Sequence, residues 1–600
     1  MRAQAVLAAA LLLATAAAPL ALPEFYVTLL NYIGLATLVT LGLVVMTGVA
    51  GIVSFGQQAF VGIAAYATAG LTTLAGLSPW AGLVASLAAT AASALLLGAV
   101  TLRLSGHYLA IATIAWGVAI YYLFGNLPLL GQYSGIDNVP PVSLGGWAID
   151  SGRESYYLIW TFTAAALVAE RNLLASRLGR AIRALRFRAV MAESCGVDTA
   201  SLKLLVFVHA ALLAGLAGWL HAHFLRFVSP HAFGINAGID YLFMAVIGGA
   251  AEVWGALVGA SIMTILKEWL KDWLPAFSQR SGNYETVVFG VLMLLLLHRA
   301  RDGLAPVLAR LLPEGARQRP AQVAAPAREA PPPAGTVLLE VHGLGKRFGG
   351  LVAVRDLSFA MNAGEILGLI GPNGAGKTTV FNLVGGALAA DEGEVRLKGS
   401  RIDRLPSREI ARRGLRRTFQ QVHLVSRMSV LDNVAIGAHL RGGRGALAAM
   451  LRAERDEERT LLSEAARALD RVGLGEHLFE PAGSLPLGSQ RAVEIARALA
   501  GDPQVLLLDE PAAGLRYGEK RALAALLDRL RAEGLGILLV EHDMEFVMGL
   551  ADRLVVMDFG EKLAEGLPDE VRRDPAVIEA YLGGEAGDRG QKNLKPETGS

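Results

Sequence analysis

A chain of 600 residues, 53% hydrophobic and 18% charged, is too long for one hydrophobic core, so two or more domains are expected. The net charge of +2 reflects near-cancelling acids and bases, and no basic stripe is interleaved with aromatics, so nothing points to nucleic acid as a partner. Cys195 is the single cysteine, which excludes a disulfide framework within the chain.

Residues 1–300 carry long apolar stretches and predict an all-α, polytopic membrane domain in contact with lipid. A helix crossing hydrocarbon needs about 20 mostly apolar residues. Candidates lie near 3–22, 26–50, 56–77, 80–102, 108–130, 156–170, 203–224, 241–265 and 284–298, roughly eight to ten spans. The first has a second reading: Arg2, an alanine-rich run and Ala16-Ala17-Ala18 also fit a cleaved signal peptide. Arginines set the orientation. Arg171, Arg177, Arg180, Arg183, Arg186 and Arg188 place 171–188 in the cytoplasm, as do Arg299, Arg301 and Arg310 after the last span. The loop 131–155, with Asp137, Asp150, Arg153 and Glu154, belongs outside. Glu252, in the apolar run Gly248–Gly255, reads as a functional ionisable group at depth or as part of a glycine-broken turn; the turn is the simpler reading.

Residues 301–336 are expected to be a linker. Pro313, Pro320, Pro326, Pro331, Pro332 and Pro333 interrupt any apolar periodicity, as in an extended tether. Residues 337–585 have the mixed composition of a soluble α/β domain, and 586–600 form a polar, disordered tail.

The soluble part opens with an apolar strand at 366–370, then Gly371-Pro372-Asn373-Gly374-Ala375-Gly376-Lys377-Thr378-Thr379 and a helix. This fits the phosphate-binding pattern G-x-x-x-x-G-K-[ST] in the strand-to-helix context it requires. Backbone N–H groups from Asn373 to Thr378 can cradle phosphate at the helix N-terminus. Lys377 would reach the β- and γ-phosphates and the Thr378 hydroxyl would ligate magnesium. Further along, Val505–Leu508 runs into Asp509 and Glu510. Asp509 would hold magnesium, and Glu510 is placed to polarise the attacking water. Ile537–Val540 is another strand, ending at Glu541-His542-Asp543, where His542 can contact the γ-phosphate. Gln420, in Thr418-Phe419-Gln420, can touch both magnesium and water. Strand-end acids also cap helices and lone histidines are often structural, but the shared order of these pieces weighs against that.

That order, over 337–583, resembles the ATPase of ABC transporters, and most closely the ATP-binding subunit of branched-chain amino acid importers. The likeness is carried by Lys346–Leu351, Arg417–Gln420, Glu494–Leu499, Glu541–Met544 and Ala580–Gly583. It implies a P-loop fold with a helical subdomain, and that Phe348 stacks on adenine. It also implies that Leu485, Gly488, Ser489 and Gln490 close over the ATP of a partner ATPase. The membrane half is similar to the matching permease at Ser54–Phe60, Gly106–Ile111 and Ser134–Ile136. Its 179–196 stretch resembles the cytoplasmic coupling segment that docks on the ATPase. The chain thus looks like two subunits fused.

Three departures stand out. The family signature resembles Leu-Ser-Gly-Gly-Gln, whereas 485–490 reads Leu-Pro-Leu-Gly-Ser-Gln, with Pro486 in place of a hydroxyl. Arg516 follows the acid pair where aspartate or asparagine is usual, and Phe187-Arg188-Ala189 replaces acidic residues in the coupling segment. A weakened signature would give two nucleotide sites of unequal activity; a tolerated variant is the alternative.

The resemblance implies ATP with Mg2+, and a multi-pass protein of the bacterial inner membrane with its ATPase in the cytoplasm. It further implies a second permease, a second ATPase and an external solute-binding protein, or a homodimer. Branched-chain or related hydrophobic amino acids are the expected solutes. Urea, short amides or another small solute is the alternative within transport, and a membrane-tethered regulatory ATPase the alternative outside it.

Overall fold

The computed structural model describes residues 15–104, 106–249, 251–277, 284–299, 303–309, 318–323, 332–333 and 335–581. Most of the candidate span 3–22, much of the linker and the whole polar tail lie outside these. The chain divides into two compact units.

The first unit comprises 1–186, 200–316 and 446–453. Its centre is α1 (Glu24–Leu43), prolonged by a π-helical turn over Val44–Val49. Around it run α2 (Gln57–Thr73), α3 (Pro79–Thr101), α4 (His107–Asn126), α5 (Gly152–Leu174), α6 (Arg177–Phe187), α8 (Thr199–Leu225), α9 (Ile235–Gly248), α10 (Val253–Phe277) and α11 (Tyr284–Arg299). Small residues let these helices approach: a Cβ on Gly42 would stand 3.0 Å from the Ala210 backbone. Among the described residues, five helices are long and apolar enough to cross a membrane, or six if α5 and α6, bent by 74°, count as one.

Five or six is fewer than the roughly eight to ten spans expected, and three expected spans take a different form; one, 284–298, yields only the 16 helical residues of α11. The stretch 241–265 is not one helix, because α9 ends at Gly248 and α10 begins at Val253. A Cβ on Gly248 would lie 1.7 Å from the Gly255 carbonyl oxygen, so only glycine permits the tight return between them. Glu252 lies exposed in that return, as the turn reading expects. The 56–77 stretch yields only the 17 helical residues of α2.

The second unit comprises 187–199, 317–445 and 454–600. It takes in α7 (Ala189–Ser194), from the stretch expected to dock on the ATPase. There the Ser194 carbonyl accepts from Arg416 Nη1 at 3.0 Å, and Arg408 pairs with Asp198 at 3.5 Å. An antiparallel sheet has the order β2-β1-β4-β5: β1 (Val337–Phe348), β2 (Leu351–Asn362), β4 (Glu392–Leu397) and β5 (Ser400–Arg401). A second sheet has the order β6-β7-β8-β3-β9-β10. Its strands are β3 (Ile366–Ile370), β6 (Leu415–Arg417), β7 (Val505–Asp509), β8 (Gly536–Val540), β9 (Arg553–Asp558) and β10 (Glu561–Gly566). All but β10 pair in parallel. Every residue of β3, β7 and β8 is buried, because both faces of a parallel sheet are covered.

A helical part follows β6: α15 (Val430–Gly437), α17 (Arg455–Arg471) and α18 (Leu487–Leu499). The tether is not free along its whole length. α12 (Ala305–Ala309) is helical, and 318–323 lies extended on α17, where Arg319 Nη2 reaches both Asp470 oxygens at 2.7 and 2.5 Å. The Val323 N–H also donates to Ser463 Oγ at 3.2 Å.

Candidate functional site

Ligands of open parallel sheets sit beyond the carboxyl ends of the strands. The neighbours β6, β7, β8 and β3 end, in that order, at Arg417, Asp509, Val540 and Ile370. Their following residues therefore gather along one edge, although they are far apart in sequence.

After β3 the chain turns through Gly371, Gly374 and Gly376 with φ of +151°, +86° and +99°. A Cβ on Gly371 would fall 2.1 Å from the Met557 carbonyl oxygen, so the loop needs glycine there. α13 (Lys377–Val384) starts at once, with N–H groups unpaired at its first turn. Asn373, Gly374 and Thr378 are exposed, Ala375 and Lys377 buried, and Thr379 half-buried. Lys377 Nζ donates to the carbonyls of Gly371 and Pro372 at 2.7 and 2.9 Å. Burial lowers its pKa, with Glu510 and Asp509 pulling the other way. The ammonium thus rests on the rim of the glycine-rich loop.

The acids form the opposite wall. Asp509 is buried, and burial pushes its pKa up against the opposing charge of Arg417. Glu510 adopts φ of +46°, a left-handed conformation that costs a non-glycine residue on the order of 1–3 kcal/mol. Its N–H is pinned to the Val540 carbonyl at 2.8 Å. The strained turn presents the carboxylate to two partners: Gln420 Nε2 donates to Oε2 at 3.0 Å, and His542 Nε2 lies 2.9 Å from Oε1. Gln420, Glu510 and His542 are thereby brought together. Glu541, next to His542, turns inward instead and accepts from the Ala512 N–H at 2.6 Å, which ties the loops after β7 and β8.

Motif reading did not assign the network that holds Gln420. Arg491 donates from Nη1 to the Phe419 carbonyl at 2.9 Å and from Nη2 to the Gln420 carbonyl. Glu494 accepts from the His423 N–H at 2.8 Å, and Arg497 donates to the His423 carbonyl at 2.7 Å. Three charged residues spaced by three on one buried face of α18 were the available signal. Tyr581 was also missed as a neighbour of the loop: burial pushes its phenol up to about 12, and a hydrogen bond with the Gly371 backbone acts the other way.

Phe348 ends β1 with its ring half-exposed, 5.7 Å from Lys346 Nζ. Asp391 fixes that lysine at 2.7 Å, so the ring stands as an open aromatic face. At the signature, Pro486 is the exposed residue before α18, with φ of −57° and ψ of 154°. Leu485 is buried, while Gly488, Ser489 and Gln490 are half-buried. A Cβ on Gly488 would meet Glu519 Oε1 at 2.4 Å, and Gln490 Nε2 turns back to the Leu485 carbonyl at 2.7 Å.

Among the described residues, no cluster of three or more His, Cys, Asp or Glu side chains forms a self-sufficient metal site. The donors beside the loop are the exposed Thr378 hydroxyl, the buried Asp509 carboxylate and the Gln420 amide oxygen, whose NH2 is spent on Glu510. This sparse all-oxygen set fits magnesium, which takes one or two protein ligands together with phosphates and water.

Comparison with known proteins adds three family matches. Residues 25–297 match the branched-chain amino acid transport system permease component. Residues 354–513 match the ABC transporter family, and 561–587 the branched-chain amino acid ATP-binding cassette transporter. Over 249 residues the chain is 45% identical to the high-affinity branched-chain amino acid transport ATP-binding protein LivG of Salmonella typhimurium, spanning 41% of this chain and 98% of that protein. It is 36% identical over 246 residues to the lipopolysaccharide export system ATP-binding protein LptB of Escherichia coli, spanning 41% of this chain and 97% of that protein. A crystal structure of the ADP conformation of an ABC transporter's ATP-binding cassette is 32% identical, with a TM-score of 0.38, covering 41% of this chain and 99% of that one.

Proposed function

Because the chain belongs to the branched-chain amino acid ABC transporter family, as a permease fused to its ATP-hydrolysing subunit, we propose that it imports branched-chain or related hydrophobic amino acids across the bacterial inner membrane. One observation carries this reading. The permease match over 25–297 and the 45% identity to LivG point independently to the same transport system. One chain supplies one permease half and one ATPase. The working transporter then contains a second of each, or a second copy of this chain, with a solute-binding protein outside.

The triphosphate of ATP lies along the N–H groups of Asn373 to Thr378, and Lys377, whose ammonium rests on the Gly371 and Pro372 carbonyls, turns to the β- and γ-phosphates. Phe348 stacks on the adenine. Thr378, Gln420 and Asp509 would hold magnesium, which would supply positive charge to offset that of the phosphates. Glu510 accepts the proton of the attacking water. Gln420 and His542 fix its carboxylate, and His542 faces the γ-phosphate. Leu485, Gly488, Ser489 and Gln490, at the start of α18, meet the ATP held by the partner ATPase.

Pro486 offers that ATP no hydroxyl. Its backbone angles suit serine, a preferred residue before a helix, so Pro486→Ser should fold unchanged. A hydrogen bond to a charged group is worth about 1.5–3 kcal/mol. The substitution should therefore speed hydrolysis at the partner's site by about tenfold or more. A mixed dimer, with the other site silenced, reads this directly, and an unchanged rate there would show that the backbone N–H groups already suffice.

The assembled transporter in lipid, assayed for ATPase stimulation by binding proteins loaded with leucine, isoleucine, valine, urea or a short amide, tests the solute. Stimulation confined to the branched-chain amino acids supports the reading. Stimulation by urea or amide alone replaces it.

A further inference from the structure

We infer that residues 446–453 are a second transmission element, by which the nucleotide-binding part of the sequence grips the membrane part independently of 187–199. The inference rests on the transporter reading. The stretch lies between Gly445 and Glu454 of the ATPase sequence, yet it belongs to the first compact unit. Its helix, α16 (Ala446–Met450), lies along α5 in that unit.

The grip centres on Asn172, which is only 8% exposed. Its Nδ2 donates to the Met450 carbonyl at 2.8 Å, and its Oδ1 accepts from Arg452 Nε at 2.7 Å. Arg452 has a φ of +56°, so the chain reverses where the contact is made. Ala449 is buried, whereas Leu447 and Leu451 are exposed, so polar matching rather than a leucine face holds the element. A buried amide with both ends engaged cannot be truncated without stranding a polar group.

Both ends of the element are anchored. In the second unit the N–H groups of Gly443 and Arg444 donate to Glu457 Oε2 at 3.0 and 3.1 Å, which fixes the point of departure on α17. In the first unit, Glu170, two residues before Asn172 and fully buried, pairs with His209 of α8. α8 begins at Thr199, where the 187–199 stretch ends. The chain thus leaves the second unit after Gly445, is held to α5 in the first, and returns at Glu454, while α5 is tied to α8 by the Glu170–His209 pair. Displacement of α17 during the ATP cycle is delivered to α5 at Asn172.

Cross-linking in the full transporter, co-expressed with its partners and held in lipid, tests this. In a Cys195→Ala background, Asn172→Cys with Arg452→Cys and a short bifunctional thiol reagent should give an intramolecular link, located by peptide mapping. Separately, Asn172→Ala and Arg452→Ala should each lower solute moved per ATP hydrolysed by about tenfold, within the range of ordinary coupling between sites, with basal ATPase retained. Arg452 is exposed, so its variant folds even if the Asn172 variant does not. No link in any nucleotide state, or wild-type transport per ATP in Arg452→Ala, overturns the inference. A link in the double-cysteine complex, together with a wild-type complex that hydrolyses ATP but moves no solute, contradicts the transporter reading while leaving the grip in place.

Discussion

Glu510→Gln is expected to lower ATP turnover on the order of 10²- to 10⁴-fold, the usual loss when a general base is removed. The exchange is isosteric. The amide oxygen can still accept from Gln420 Nε2, now 3.0 Å from the carboxylate, and the Glu510 N–H keeps its bond to the Val540 carbonyl. What disappears is the capacity to take a proton from water, together with the charge that orients His542. Nucleotide binding therefore survives, and the variant accumulates with ATP bound. Single-turnover hydrolysis alongside equilibrium ATP binding separates the two effects. Turnover within about tenfold of wild type would move the base elsewhere.

Lys377→Ala is expected to act on binding first. The ammonium makes two hydrogen bonds to loop carbonyls, which in the proposed ATP complex it exchanges for phosphate oxygens. Two charge-assisted bonds of about 1.5–3 kcal/mol each, partly offset by those given up, correspond to affinity weaker by about 100-fold. The Gly371 and Pro372 carbonyls also lose their donor, and the loop between β3 and α13 loses its internal brace. Titration with labelled ATP measures the shift. Unchanged affinity would mean that the backbone N–H groups carry the phosphates alone.

The strands, the glycine loop and the acid pair could be read from sequence because their chemistry is local. A five-residue apolar run followed by Gly371–Thr379 forces a buried strand, a turn and a helix start. The meeting of Gln420 with Glu510 could be expected only from motif order, since 90 residues separate them and the strand sequence β6-β7-β8-β3 brings them together. Glu494 and Arg497 entered the sequence reading only as part of the family likeness, and Arg491 not at all, because nothing local shows that this side of α18 is buried against the residues after β6. Hydropathy cannot see that a helix breaks, which is why 241–265 looked continuous although one helix ends at Gly248 and the next begins at Val253. Composition likewise made 313–335 look like a free tether, although Arg319 and Val323 find partners on α17. Nothing local marks 446–453 as part of the first unit, because its partner Asn172 lies 278 residues away.

The central claim is that ATP hydrolysis at Glu510 moves solute inward. Its most direct test is uptake of labelled leucine by vesicles that carry the complete transporter, with ATP inside and the loaded binding protein outside. The account predicts accumulation that requires ATP and falls to background in Glu510→Gln. Steady hydrolysis by the wild type, with no movement of leucine, isoleucine, valine, urea or amide, would contradict it and leave a membrane-tethered ATPase that transports none of them.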